Sequence, residues 1–174
     1  MFGAVLLDGE LQQLHLRYLP KNVNANDCGY FRYIMALVDT LDYFPEQHPG
    51  RARLLTYLQS LADAIVLSQD QTYKGWYNIM DPGFETRSGN YIESSGSAMF
   101  VYGLFKSLRH GYIAGEKYEA AATSGYELLT GAFAQPLARD GSLSWEWTAQ
   151  TGSLSSNGTF EVCLCRHPIF SPGD

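Results

Sequence analysis

GYFRYIMALVDTLDYFPEQHPGRARLLTYLQSLADAI, residues 29–65, is the stretch that decides the fold. Both of its halves carry apolar residues at helical spacing, namely Ile34, Leu37, Val38, Leu41 and Phe44, then Leu54, Leu58, Leu61 and Ile65. Pro45 and Pro49 lie between the halves and cannot continue a helix. The pattern predicts two helices, over about residues 29–44 and 50–69, whose short connection makes them antiparallel.

Two further helical patterns follow, over about residues 94–112 and 116–134. Small residues are frequent on the facing stripes of the helices (Ala62, Ala98, Ala121, Ala122 and Gly125), and they let helix axes approach closely. After residue 135 the apolar period becomes two, with Leu143, Trp145 and Trp147 alternating with polar residues. The sequence therefore predicts an all-α fold of stacked helix hairpins, an α-toroid or α-solenoid, with a small β element near 141–148.

Composition limits the classes of function. The chain has 174 residues, 45% hydrophobic content and a net charge of −6, which excludes disorder, collagen and a membrane span. Since no cluster of Lys and Arg occurs, we expect no nucleic-acid and no membrane partner. The first residues lack a basic start and predict no secretory signal, so the location stays open: cytoplasmic, or secreted if a longer form exists.

The cysteines and one short motif point to no special chemistry. Cys28, Cys163 and Cys165 have neither a disulfide framework nor zinc-ligand spacing, so we interpret them as ordinary thiols and expect no metal. Asn157-Gly158-Thr159 satisfies the N-glycosylation pattern, but a structural loop is the simpler interpretation.

The segment 70–92 interrupts the helical patterns with glycines and a proline and carries four aromatic residues: Trp76, Tyr77, Phe84 and Tyr91. Long ordered loops are common places for functional sites. This segment is therefore the first candidate for a site.

Four stretches carry a resemblance: MALVDTLDYFPE at 35–46, GWY at 75–77, GNYIESSGSAMF at 89–100 and GSLSSNGTFE at 152–161. In this order and spacing they resemble the unsaturated glucuronyl and rhamnogalacturonyl hydrolases, glycoside hydrolase families 88 and 105, over the C-terminal half of the family's length. The resemblance implies a partial (α/α)6 barrel over residues 29–161, between an irregular segment 1–28 and a divergent tail 162–174.

The resemblance also implies an activity. Members of these families hydrate the C4–C5 double bond of an unsaturated uronic acid at the end of oligosaccharides from pectin or similar polysaccharides. An Asp protonates the alkene and activates the water, after which the hydrated sugar opens and releases its partner. That scheme requires no cofactor, and it makes an unsaturated uronyl oligosaccharide the expected partner.

The same resemblance suggests substrate-binding residues. Trp76 and Tyr77 match a Trp-Tyr pair on a cleft-facing loop, where an aromatic ring can stack on a sugar; packing in the core is an equal alternative. Glu93 precedes a helix start, where it either caps the helix and holds the loop or contacts substrate. Arg32 lies near the position at which the family has an arginine that binds the uronate. The alternative interpretation is a solvated arginine at the start of a helix. Asp27 is interpreted as a helix cap.

The catalytic residue stays unassigned, because the family's acid/base Asp belongs to an earlier hairpin that this sequence does not match. We therefore expect weak or no activity from this chain and leave open whether it is an enzyme. The alternatives are a non-catalytic carbohydrate-binding remnant, using Trp76, Tyr77, Trp145 and Trp147, and an α-solenoid interaction remnant. Apolar helix faces without neighbours predict self-association.

Overall fold

The computed structural model describes residues 28–80, 83–85, 87–136 and 141–149. The helices in these residues are α1 (Cys28–Tyr43), α2 (Arg51–Ser68), α3 (Ser94–Arg109) and α4 (Glu116–Leu128), and the strands are β1 (Ala134–Pro136) and β2 (Leu143–Trp145). A π-helical turn, Leu129–Phe133, continues α4. The prediction of helix hairpins with a small β element is confirmed.

Helices α1 and α3 pack directly on each other and run parallel. Near the start of both, the ring of Phe31 meets that of Phe100 edge-on, with centroids 4.7 Å apart. Further along both, Lys106 Nζ lies 2.7 Å from Asp39 Oδ1. Because the paired positions rise together, the two helices begin at the same end of the molecule.

A glycine on α3 makes this approach close. A Cβ atom added to Gly103 would lie 2.5 Å from Ile34 Cγ1 on α1, nearer than real contacts allow. Gly125, one of the small residues predicted to face a neighbouring helix, lies in a similar contact, where an added Cβ would meet Val101 at 2.7 Å.

The second helix of each hairpin returns along the first. Short connections, residues 44–50 and 110–115, separate α1 from α2 and α3 from α4. Helices α2 and α4 touch each other much less than α1 and α3 do, as in the outer and inner layers of a ring. Residues 69–93, between α2 and α3, consequently lie at the end where α1 and α3 begin.

The strands form a two-stranded antiparallel sheet with Ala134 opposite Trp145 and Pro136 opposite Leu143. A hydrogen bond from the Ser94 amide to the Trp147 carbonyl, 3.1 Å, holds the chain after β2 against the start of α3. The sheet therefore extends the same end of the molecule.

Two helix ends differ from the sequence prediction. Helix α3 ends at Arg109 rather than 112, and the predicted helix to 134 changes from α to π geometry after Leu128. No helix in the described ranges combines the length and apolar character needed to span a bilayer. Asp27, Asn157, Cys163, Cys165, nearly all of segment 1–28 and the tail 162–174 lie outside the described residues.

Candidate functional site

Side-chain hydrogen bonds fix the start of the loop between α2 and α3. Gln69 is buried and donates from Nε2 to the carbonyl oxygens of Lys74 (2.8 Å) and Ala121 (2.9 Å). Asp70 accepts hydrogen bonds from the backbone amides two and three residues ahead of it. The aromatic residues that follow therefore start from a defined position against α4.

Trp76 is completely buried, at 0% exposure. Its indole Nε1 donates to the carbonyl of Ile65 on α2 at 2.7 Å, and its backbone amide donates to Ser97 Oγ on α3 at 3.1 Å. Its ring also lies edge-on to Phe100, with centroids 5.3 Å apart. Of the two alternatives for Trp76, core packing is the one observed, so its indole joins the loop to both helices and presents no face to solvent.

The loop then folds back on itself. Tyr77 lies opposite Ile92 in an antiparallel bridge, and the amide of Asn78 donates to the Tyr91 carbonyl at 2.8 Å. The Glu93 amide closes the pairing by donating to the Trp76 carbonyl at 2.9 Å. This pairing brings residues from both ends of the loop to one surface.

A cavity of about 550 Å³ opens on that surface. Aromatic, aliphatic and polar side chains line it together: Tyr73, Tyr77, Tyr91, Phe133 and Trp147, then Ile92, Leu128 and Ala132, then Glu85, Arg87, Ser88 and Asn90. This volume lies within the range of small-molecule sites, and the mixture of apolar faces and a few polar groups is typical of them.

Tyr77 is the predicted site residue that lines this cavity. Burial raises the pKa of its phenol, and the nearby Asp70, Tyr73 and Glu85 raise it further. The hydroxyl therefore stays protonated at neutral pH and can donate a hydrogen bond to a ligand.

Trp147 reaches the same cavity from the segment after β2. Its backbone has a φ of 62°, in the left-handed region that bulky residues avoid. Its half-buried ring contacts Tyr91, with centroids 6.0 Å apart. Trp145, two residues earlier, is 42% exposed and lies outside the cavity.

Glu93 caps α3, as one of its predicted alternatives required. Its side chain accepts from the Gly96 amide and from Ser95 Oγ (2.7 Å), and Oε1 also accepts from the Ala149 amide at 3.0 Å. Glu93 is 2% exposed. Its carboxylate thus serves the helix start and the segment that carries Trp147; direct contact with substrate remains a prediction.

Arg32 is exposed in the first turns of α1, at the same end of the molecule but outside the cavity. The guanidinium that lines the cavity belongs to Arg87, whose Cζ lies 5.3 Å from the centre of the Phe84 ring. Across the described ranges, no group of three or more His, Cys, Asp or Glu side chains is placed to hold a metal ion.

Comparison with known proteins shows the family and the fold. Residues 32–155 match the sequence profile of Glycosyl Hydrolase Family 88. The chain belongs to this family. A family 105 glycoside hydrolase from C. acetobutylicum ATCC 824 superposes with a TM-score of 0.73 at 31% identity, over 81% of this chain and 39% of that chain. A family 88 glycosyl hydrolase from Bacteroides vulgatus, at 19% identity, shares the fold with a TM-score of 0.54 over 78% of this chain and 40% of that one.

The present chain also resembles Protein Atu3128 of Agrobacterium fabrum, with 36% identity over 95 residues. That alignment covers 55% of this chain and 39% of the relative. The chain therefore spans well under half the length of the proteins it matches, and its helix hairpins form part of the (α/α)6 barrel of families 88 and 105.

Sequence reasoning missed Glu85 and Arg87 and gave Tyr91 and Trp147 no defined partners. All four line the cavity. Three of them lie in the loop 70–92, whose length and aromatic content marked it as a candidate site. No local signal linked Trp147 to this loop, because its contact with Tyr91 joins residues more than fifty positions apart in the chain.

Proposed function

We propose that this chain provides a sugar-binding part of the cleft of an enzyme that hydrolyses unsaturated uronyl oligosaccharides derived from pectin or similar polysaccharides. The observation that carries the proposal is the cavity of about 550 Å³, lined by five aromatic residues among polar and aliphatic ones, at the end of the hairpins where α1 and α3 begin. In a glycosyl hydrolase family 88 chain, a saccharide is the ligand whose chemistry fits such a lining.

The lining offers partners for the apolar ring, the hydroxyl oxygens and the carboxylate of a uronide. The C–H face of a sugar ring is apolar and can stack on the indole of Trp147 or on a tyrosine ring. The protonated Tyr77 hydroxyl can donate to a sugar oxygen. A guanidinium pairs with a carboxylate through two hydrogen bonds, which makes Arg87 the candidate partner for the uronate among the described lining residues.

Hydration of the C4–C5 double bond needs a carboxyl group that protonates the alkene and activates water. Glu85 is the one carboxyl among the described lining residues, and the Gly83 amide donates to its Oε2 at 2.8 Å. The resemblance assigns the acid/base role to an Asp on an earlier hairpin. We therefore expect the 174-residue chain to bind the uronide but to turn it over weakly or not at all.

The experiment is a calorimetric titration of the 174-residue protein with an unsaturated galacturonyl-rhamnose disaccharide, its saturated counterpart and a neutral galactose disaccharide. We expect tighter binding of the two uronides than of the neutral sugar, and Arg87→Met should remove that preference. Equal affinity for all three sugars, or binding of none, would overturn the proposal. Ultraviolet absorbance of the unsaturated uronide reports turnover in the same samples; rapid loss would refute the expected weak activity.

The second candidate is a carbohydrate-binding role without catalysis, favoured by the aromatic lining that holds a single described carboxyl group. The titration separates the two functions. Binding that ignores the uronate carboxyl and leaves the ultraviolet absorbance unchanged would favour this second role.

A further inference from the structure

The backbone of Trp147 is held in a conformation that its side chain disfavours. A left-handed φ of 62° is unusual for a residue with a bulky side chain, and such strain persists only when the surroundings impose it. Glycine would relieve it, yet the position carries an indole. The protein therefore keeps a strained backbone together with a large aromatic side chain at this position.

Glu93 and Ser94, at the start of α3, hold this conformation through hydrogen bonds to residues 147–149. The Ser94 amide donates to the Trp147 carbonyl at 3.1 Å, and Ser94 Oγ lies 2.9 Å from Thr148 Oγ1. Glu93 Oε1 accepts from the Ala149 amide at 3.0 Å. Because Glu93 also caps α3, the segment is attached to a rigid helix rather than to a loop.

The attachment directs the indole to the cavity. Trp147 lines it while packing against Tyr91, so part of the ring is supported and part borders the open space. The other two tryptophans of the chain do not line the cavity: Trp76 is enclosed in the core, and Trp145, on β2, lies outside the cavity. Trp147 is thus the indole that a cavity ligand can reach.

We propose that Trp147 is the stacking platform for a sugar ring in this cavity, and that Glu93 is the positioning residue that holds it there. The inference rests on the proposed function for the class of ligand, a saccharide, and adds the residue that recognises the ring. A preformed aromatic platform avoids the loss of side-chain freedom that binding to a mobile one would require.

The test of the platform is calorimetric titration of the full chain with the unsaturated galacturonyl-rhamnose disaccharide. Trp147→Ala should weaken binding by about tenfold, Trp147→Phe should restore most of it, and Trp145→Ala, the matched control, should leave it unchanged. Circular dichroism of each variant reports the helical fold. Wild-type affinity in a folded Trp147→Ala protein would overturn the inference and leave the proposed function standing.

A neutral galactose disaccharide distinguishes the two proposals. If it binds as tightly as the uronide and still depends on Trp147, the platform is supported and the uronyl specificity is overturned. If neither sugar binds the wild-type chain, the platform is overturned as well.

The role of Glu93 is tested by a double-mutant cycle. Glu93→Gln keeps one acceptor oxygen but weakens the joint attachment of Gly96 and Ala149, so affinity should fall between those of the wild type and Trp147→Ala. The double variant should bind no more weakly than Trp147→Ala alone, because Glu93 acts through the indole. Additive losses would overturn the positioning role, since general destabilisation would lower affinity independently of Trp147.

Discussion

At the scale of single residues, Gly103 fixes the distance between α1 and α3. A methyl group at this position would lie 2.5 Å from Ile34 Cγ1, a branched side chain that is itself fully buried. We expect Gly103→Ala to lower the free energy of unfolding by about 1–3 kcal/mol through overpacking, measured by urea denaturation. Gly131→Ala is the control, because it meets nothing within 4 Å. Equal urea midpoints for the two variants would show that α1 can move away from α3 without a loss of stability.

Lys106 on α3 is a nearly buried ammonium that pairs with two carboxylates on α1. Its side chain is 8% exposed, and its Nζ contacts Asp39 and Asp42. Burial alone would lower the pKa of Lys106, but hydrogen bonds to Asp39, Asp42 and Tyr102 raise it above 10.5. The hydrogen bonds from Lys106 and Tyr102 hold the pKa of Asp39 below 3.8.

The signs define a window of stability. Asp39 stabilises the fold fully above its unfolded pKa and loses this effect as pH falls through its lowered value; Lys106 loses its effect only in strong alkali. Lys106→Met should therefore cost about 1–2 kcal/mol at pH 7 and less at pH 3, by urea denaturation. Lys117→Met, which breaks an exposed pair with Asp63, should cost less at pH 7. A Lys106→Met cost that does not change with pH would contradict this account.

At the scale of elements, Arg51 on α2 closes the end of α1. Its Nη1 donates to the carbonyl oxygens of Leu41 (2.9 Å) and Phe44 (2.7 Å), which the helix end leaves without helical partners. Lysine keeps the charge but lacks the planar fork. Arg51→Lys should cost about 1 kcal/mol and speed amide exchange in α2 near the connection, whereas Arg53→Lys, on the exposed face, should do neither.

The same elements show what sequence could predict. Helices α1 to α4 follow from hydrophobic periodicity, which is local, and the glycine and alanine stripe follows from composition. The π-helical turn Leu129–Phe133 carries no such signal, since its residues fit a continued α-helix. The burial of Trp76 depends on Ile65 and Ser97 in two different helices, so the sequence left core and cleft equally open.

The site was predictable to the extent that its residues lie in one loop. Tyr77 was suggested by the resemblance, which matches Trp76 and Tyr77 to a Trp-Tyr pair on a cleft-facing loop, and the cap at Glu93 was predicted because a helix start follows it. The hydrogen bond from the Ala149 amide to Glu93 was not predicted, because it depends on how β1 and β2 pair and return the chain to α3. Arg32 was suggested by the resemblance, because it lies near the position of a family arginine that binds the uronate, whereas the guanidinium that lines the cavity belongs to Arg87 in the loop.

At the scale of the whole molecule, a groove on the helices lies open in the part of the chain that the structure describes. A groove of about 340 Å³ runs between α3 and α4. Most of its lining residues are apolar or aromatic, among them Val101, Tyr102, Phe105, Tyr126 and Leu129, and Lys106 and Arg109 also line it. Tyr102, Phe105 and Tyr126 are 41%, 39% and 54% exposed. Contiguous apolar surface of this kind favours association, because burial removes it from water.

We therefore expect the 174-residue protein to self-associate through this face, as light scattering after size-exclusion chromatography would measure. The net charge of −6 opposes association, so raising the salt concentration should increase the average mass by screening it. Phe105→Glu should restore the monomer, because it places a charge in the groove. Tyr43→Glu alters an 89% exposed aromatic at the end of α1, outside the groove, and should leave the average mass unchanged. A monomer at every protein and salt concentration would show that the groove is too small to hold two chains together.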